Sequence, residues 1–180
     1  MRHPLQKKYP NIPNTEKAAI FYYTQKEGSR FRQLNKQLRN GNLTEFNEAF
    51  SKLLSKGISN LPKFENNVYR TIRLNKTELK AWIELANKKD SIVFKGFTST
   101  SKSEKIAKFL MSRGHTKSNE TDILLVLKSK NGRVIGDLSQ FSGRHGLPNQ
   151  LEVLFDRNSK FKFEGMTYKN KHPIFYLTED

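Results

Sequence analysis

The strongest constraint on the fold is a single change of hydrophobic period near residue 66. Before it, apolar side chains recur at helical spacing; after it, they alternate or run on as in strands. A helix is predicted from Asn14 or Thr15, carrying Ala18, Ala19, Phe21 and Tyr22 and closed by Gly28. A second is expected from Ser29, with Phe31, Leu34 and Leu38 on one stripe and Gly41 stopping it. A third starts at Thr44, groups Phe46, Phe50, Leu53 and Leu54, and ends at Gly57. "NNVYRTIRL" then alternates, with Val68, Arg70 and Ile72 opposed to Tyr69, Thr71 and Arg73, and reads as a strand. Thr77 to Asn87 reads as a short helix around Leu79, Trp82 and Leu85. "SIVFKGFTS" is expected as one strand, "SEKIAKFLMSR" as a helix up to Gly114, and "DILLVLK" as a buried strand. A turn at Asn131 and Gly132 follows, then strands at "RVIG", "QLEVLF", "KFKFEG" and "HPIFYL". Helices first and mostly antiparallel strands later specify an α+β domain.

With 180 residues, the chain reads as one domain over 15–180, preceded by a basic linker or N-terminal extension over 1–14. That opening, "MRHPLQKKYPNIPNTE", has neither the apolar core nor the cleavage site of a secretory signal, and reads as a seam with a longer protein. Cysteine is absent, which removes disulfides, thiolate metal sites and thiol nucleophiles together. The four His (His3, His115, His145, His172) are scattered without metal-ligand spacing, so no structural zinc site is expected. No apolar run approaches a membrane span. The net charge of +16 implies attraction to nucleic acid, acidic protein surfaces or anionic membrane. A lysine-rich bias with no polyanion partner explains it equally well.

Three constellations could carry chemistry. Arg70 stands mid-strand between Val68 and Ile72, where a guanidinium needs an anion and suits a phosphate or carboxylate. The alternatives are an ordinary ion pair with an acid, or Tyr69 and Arg73 as the inward pair. The hydroxyl run Thr98 to Ser101 follows a strand; in extended chain Ser99 and Ser101 share a face and Thr100 takes the other. Ser101 with Glu104 also reads as a capping box for the next helix. In "NQLEVLF", Gln150 and Glu152 project from one strand face while Leu151, Val153 and Phe155 fill the other. A solvated strand face gives the same pattern.

The ordered series of strand Arg, strand Ser-Thr-Ser and strand Gln-x-Glu resembles the mono-ADP-ribosyltransferase toxins of the arginine–serine–glutamate class. It is most similar to the clostridial exoenzymes that modify Rho GTPases. "EKAAIFYYTQ" and "RQLNKQLRN" resemble that family's helices ahead of the arginine strand, and "NQLEVLFDRNSKFKF" resembles its catalytic strand and the next one. The likeness spans about residues 15 to 178. It implies an ADP-ribosyltransferase-like fold, N-terminal helices packed on a two-sheet β core, with NAD+ as substrate and no metal. The nicotinamide–ribose bond would be cleaved through an oxocarbenium-like transition state, so negative charge at the sugar and a clamp on the diphosphate are required.

By resemblance, Glu152 stabilises the cation, Ser99 braces Glu152, and Arg70 holds the NAD+ phosphates. Asn35 and Arg39, with Thr100, Ser101 and Arg113, complete the NAD+ site. Gln150 stands where the commoner form has glutamate. In the resembling enzymes this goes with asparagine modification, although relatives that modify guanine in DNA share it. Thr71 replaces a usual glycine, and the loop "LSQFSGRHGLPNQ" is longer than in the Rho-modifying enzymes. Phe141, Arg144 and His145 of that loop, with Gln150, are expected to read the target, either an acidic protein or a nucleic acid or ribonucleoprotein. The resemblance further implies delivery into a host or rival cell and a cognate immunity protein. Two rivals remain: an RNA-binding module, because "KGFTSTSK" opens like an RNA-recognition strand, and a plain NAD+ hydrolase.

Overall fold

Pairing and periodicity separate the chain into a helical opening and a strand-rich remainder in a computed structural model, which describes residues 9–25, 30–112, 119–143, 149–170 and 172–180. Among these residues there are five helices and eight strands. The opening contains α1 (Asn14–Tyr23), α2 (Arg30–Asn40) and α3 (Glu45–Ser59). Thr44 caps α3 as expected, its hydroxyl accepting from the Asn47 amide at 3.2 Å. The helix passes Gly57 because Ile58 continues the buried stripe begun by Leu54. Before α1, Ile12 is buried and the Tyr9 hydroxyl donates to Asp137 at 3.0 Å, so residues 9–12 are attached to the domain.

The arginine strand is β1 (Asn67–Asn75), paired antiparallel along its whole length with β4 (Glu120–Lys128). Asn75 ends β1 and caps α4 (Lys76–Lys88) in a reciprocal capping box with Glu78. "SIVFKGFTS" is two strands, not one. β2 (Ser91–Phe94) pairs with β7 (Ser159–Lys169), and β3 (Thr98–Ser101) pairs with β6 (Glu152–Phe155). Gly96 permits the break: a Cβ there would lie 2.7 Å from Asn35 Oδ1, so only glycine lets the chain pass against α2. The expected Ser101–Glu104 capping box is also absent. Ser101 is occupied by the Ser103 amide and the Gln150 carbonyl, and Ser103 caps α5 (Glu104–Ser112), its hydroxyl accepting from the Ile106 amide at 3.4 Å.

The α+β expectation holds, but the two-sheet core does not. The strands form one eight-stranded sheet in the order β2-β7-β8-β4-β1-β3-β6-β5, with β5 at Arg133–Val134 and β8 at His172–Glu179. All neighbours are antiparallel except β4 and β8. A single residue pair between β1 and β3, Tyr69 with Ser101, joins the halves and makes one sheet of what would otherwise be two. Each half has its own core. Under β1, β4, β7 and β8, Val68, Leu125, Phe161, Phe163 and Phe175 pack with Trp82 of α4. Under the helices, Ile20, Leu34, Leu54 and Ile58 pack against Phe97, Ile135, Leu138 and Leu154.

Candidate active site

At the β1–β3 junction the backbone ladder stops, and side chains bridge what it leaves open. Arg70 follows the junction residue Tyr69, and its Nη1 donates to the Ser99 carbonyl across the gap at 2.6 Å. It has no ion pair among the described residues. The ion pair weighed for it is made instead by Arg73, whose Nε lies 2.9 Å from Asp122, its partner in the β1–β4 register. Desolvation lowers the Arg70 pKa; the Tyr23 side chain opposes that shift and the like charge of Arg39 adds to it. The guanidinium stays charged at neutral pH, and the charge of the buried Glu152 acts on it without a direct ion pair among the described residues.

Glu152 opens β6 and is only 5% exposed. Its Oε2 accepts from the Ser139 hydroxyl at 2.8 Å. Burial raises its pKa, while hydrogen bonding from Ser99 and Ser139 and the charge of Arg70 pull it back. The result is a desolvated carboxyl group aimed by the Ser139 hydroxyl, suited to answering positive charge that develops beside it.

Gln150 and Leu151 lie outside the strand, contrary to the alternation read from the sequence. Leu151 has a left-handed backbone, φ 49°, and is 40% exposed instead of filling the inner face. The αL residue breaks the period of two, so Gln150 and Glu152 are related by a turn. Gln150 is fixed by its main chain: its amide donates to the Phe141 carbonyl at 3.0 Å and its carbonyl accepts from Ser101 at 2.7 Å. Its side chain makes no hydrogen bond among the described residues.

The other hydroxyls are committed to backbone. Thr100 donates to the Val153 carbonyl at 2.8 Å, and Ser101 is occupied as described above. Asn35 of α2 is buried, donating to the Tyr23 hydroxyl at 3.1 Å and the Phe97 carbonyl at 3.0 Å. Its Oδ1 has no partner among the described residues. Arg39, on the same helix, is exposed and acts on Arg70 only through its charge. Arg113, Arg144 and His145 lie outside the described residues.

Three residues of this cluster were not anticipated: Ser139, Tyr23 and Thr24. Ser139 and Thr24 anchor the loop that precedes Gln150, because the Gln140 amide donates to Thr24 Oγ1 at 2.9 Å. Tyr23 stands buried beside Glu152 and Arg70, and burial pushes its phenol up to about 12, so it remains a neutral donor. Tyr23 follows Tyr22, the last residue the helical pattern singles out, and is itself not singled out. Ser139 and Thr24 carry no local signal of their own.

Two neighbouring guanidiniums with no direct ion pair, a buried acceptor with no donor among the described residues, and a desolvated carboxyl group fit a ligand with an anionic linker, polar N–H groups and a developing cation. NAD+ has all three. Phe97, the aromatic of the RNA-recognition reading, is 2% exposed and packs on Tyr23 with ring centroids 5.5 Å apart, so it offers no face to a base.

Comparison with known proteins agrees with this geometry. The family model described as NAD:arginine ADP-ribosyltransferase matches residues 3–180. No curated protein sequence is significantly similar to the chain. Among solved structures, ADP-ribosyltransferase HopU1 of Pseudomonas syringae pv. tomato superposes with a TM-score of 0.77 at 20% identity, covering 98% of this chain and 81% of that one. ADP-ribosyltransferase Vis in complex with agmatine gives 0.73 at 21%, covering 96% and 77%; a Vis toxin structure names Vibrio splendidus as the source. The Clostridium limosum C3 exoenzyme gives 0.65 at 19%, covering 98% and 90%. At these identities the likeness establishes a common fold. The chain belongs to the NAD:arginine ADP-ribosyltransferase family and is an NAD+-dependent mono-ADP-ribosyltransferase.

Proposed function

We propose that Glu152 is the catalytic carboxylate of a transferase that moves ADP-ribose from NAD+ to a protein side chain. The observation that carries this reading is the buried Glu152 carboxylate, held by Ser139 at 2.8 Å and facing the cation Arg70. Arg70 and the exposed Arg39 would hold the diphosphate, and their mutual repulsion is relieved when an anion lies between them. The orphaned Oδ1 of Asn35 would accept an N–H from the bound dinucleotide. Ser99 braces Glu152, while Thr100 and Ser101 fix the strands that carry both. During reaction the nicotinamide–ribose bond breaks with its electron pair leaving on nicotinamide. Glu152 offsets the charge that forms on the sugar, and the acceptor nitrogen makes the new bond and gives up a proton.

Gln150 is assigned to the acceptor because its side-chain amide is unspent among the described residues and its backbone is tied through Phe141 and Ser139 to Glu152. An amide pairs with an amide, which favours asparagine. The family's description names arginine, and Vis was solved with the guanidinium compound agmatine, so arginine is the competing acceptor. Phe141 of the same loop and the net charge of +16 favour an acidic protein surface. A delivered toxin is the matching biological role, since Vis and Plx2a are both described as toxins.

Labelled NAD+ incubated with lysate tests the proposal. Label is expected on protein, resistant to nuclease, lost in Glu152→Gln and much reduced in Gln150→Ala, on asparagine by fragment mass. Label on arginine would overturn the amide assignment, and label removed by nuclease would overturn the protein acceptor.

A further inference from the structure

We infer that Ser139 is a positioning residue that ties the target loop to the catalytic carboxylate, so that one hydroxyl aligns both halves of the transfer. This rests on Glu152 being the catalytic carboxylate. Ser139 is 1% exposed and has two partners of different kinds. It donates to Glu152 Oε2 at 2.8 Å and accepts from the Phe141 amide at 3.1 Å. The Phe141 carbonyl in turn takes the Gln150 amide at 3.0 Å. A continuous path therefore runs from the carboxylate through Ser139 and Phe141 to the backbone of Gln150. Gln140, between them, is held separately by Thr24 of the helical half. A hydroxyl can serve such a path because it donates and accepts at once, whereas alanine can do neither.

The surroundings make the donor matter. Glu152 is faced by Ser99 from β3, Arg70 from β1 and Tyr23 from α1, with Arg39 of α2 acting on Arg70. Desolvation favours the protonated acid, and the Ser139 hydroxyl is one of the groups that oppose that shift. Loss of that donor should raise the carboxyl pKa further. The sign follows: the ionised form, which is the active one, would be lost at a higher pH.

The test is the pH profile of kcat for NAD+ hydrolysis and, separately, of transfer, in the wild type, Ser139→Ala and Ser139→Cys, with Glu152→Gln as the reference. A charge-assisted hydrogen bond of typical strength corresponds to about one pH unit and about tenfold in rate. For Ser139→Ala the acid limb is expected to move up by about that unit. Its kcat should fall about tenfold for hydrolysis and for transfer together, with the KM for NAD+ little changed. Ser139→Cys keeps the volume and a weak donor, so it should lie between, and it reads the same shift if the alanine variant is unstable. A merely structural serine would lower the melting temperature without moving the acid limb. An unmoved limb in both variants, with Glu152→Gln inactive, overturns the role of Ser139 alone. An active Glu152→Gln instead overturns the assignment of Glu152, and Ser139 with it.

Discussion

The two cores of the molecule are built on opposite principles. Under β1, β4, β7 and β8 the contacts are aromatic and forgiving: Trp82 meets Phe163 and Phe175 edge to face at 5.5 and 5.6 Å, and each ring touches several others. Under α1 to α3 the apolar residues Leu34, Phe97 and Leu138 share their space with Tyr23, Asn35, Ser139 and Glu152. Polar groups buried this way are tolerated only with specific partners, and each partner fixes a direction. The first core therefore supplies stability with little demand on geometry. The second gives up some stability to fix a carboxylate and a cation near a common point. The single-pair junction of β1 with β3 is where one principle gives way to the other.

The largest effect should come from the first core and should be purely one of stability. Phe175→Ala is expected to cost about 3–5 kcal/mol in denaturant unfolding. In the protein that remains folded, NAD+ affinity should stay within about threefold, because sites without shared partners act independently. A variant that folds but fails to bind NAD+ would show that the cores are mechanically coupled.

Glu152→Gln is the converse. The neutral isostere should remove about 10²–10³ in kcat, as loss of one preorganised group does, with a melting temperature at or above that of the wild type. The sign follows from burial, which disfavours the charged carboxylate and is relieved by the amide. The same burial predicts that the wild type loses activity on acidification above the ordinary glutamate range. An acid limb at the ordinary position would mean that Glu152 is solvated during turnover.

Arg70→Lys sits on the boundary and should register on both sides. An ammonium keeps the charge but cannot both reach the Ser99 carbonyl and grip a phosphate in a forked contact. NAD+ binding is expected to weaken about 10-fold to 100-fold, with a smaller stability loss of about 1 kcal/mol, measured by calorimetry and unfolding. An unchanged dissociation constant would make Arg70 a brace for the junction alone.

The same division explains what was legible in the sequence. The first core announced itself, because "DILLVLK" is an unbroken apolar run and "KFKFEG" alternates phenylalanine, and such patterns survive without tertiary context. The order of Arg70, Ser99 and Glu152 was legible through its resemblance to a family. Their convergence depends on the one-pair junction, which no local pattern encodes. The break at Gly96 was hidden because its cause, Asn35, is remote in sequence. Ser139 was hidden for the same reason, since its importance comes from a contact across a loop.

The smallest effect belongs to Leu151, and it is the most discriminating. Its left-handed backbone separates Gln150 from Glu152, and its side chain is 40% exposed, so substitution forfeits little burial. Glycine removes the Cβ penalty of about 1–2 kcal/mol but adds unfolded-state entropy of about 0.5–1 kcal/mol. Leu151→Gly should therefore change stability by no more than about 1 kcal/mol. Leu151→Val, branched at Cβ and poorly suited to positive φ, should be the less stable of the two. Function separates two accounts of how the site is held. If hydrogen bonds hold it, both ends of the turn are already fixed: Gln150 by Phe141 and Ser101, Glu152 by Ser139. A freer Leu151 would then leave NAD+ hydrolysis within about twofold and reduce transfer only slightly, since a hinge between two anchors has little to move. If the αL residue itself aims the carboxylate, hydrolysis and transfer would both fall by more than about tenfold, as misplacement at a reacting centre does. That outcome would relocate the precision of the second core from its hydroxyls to its backbone.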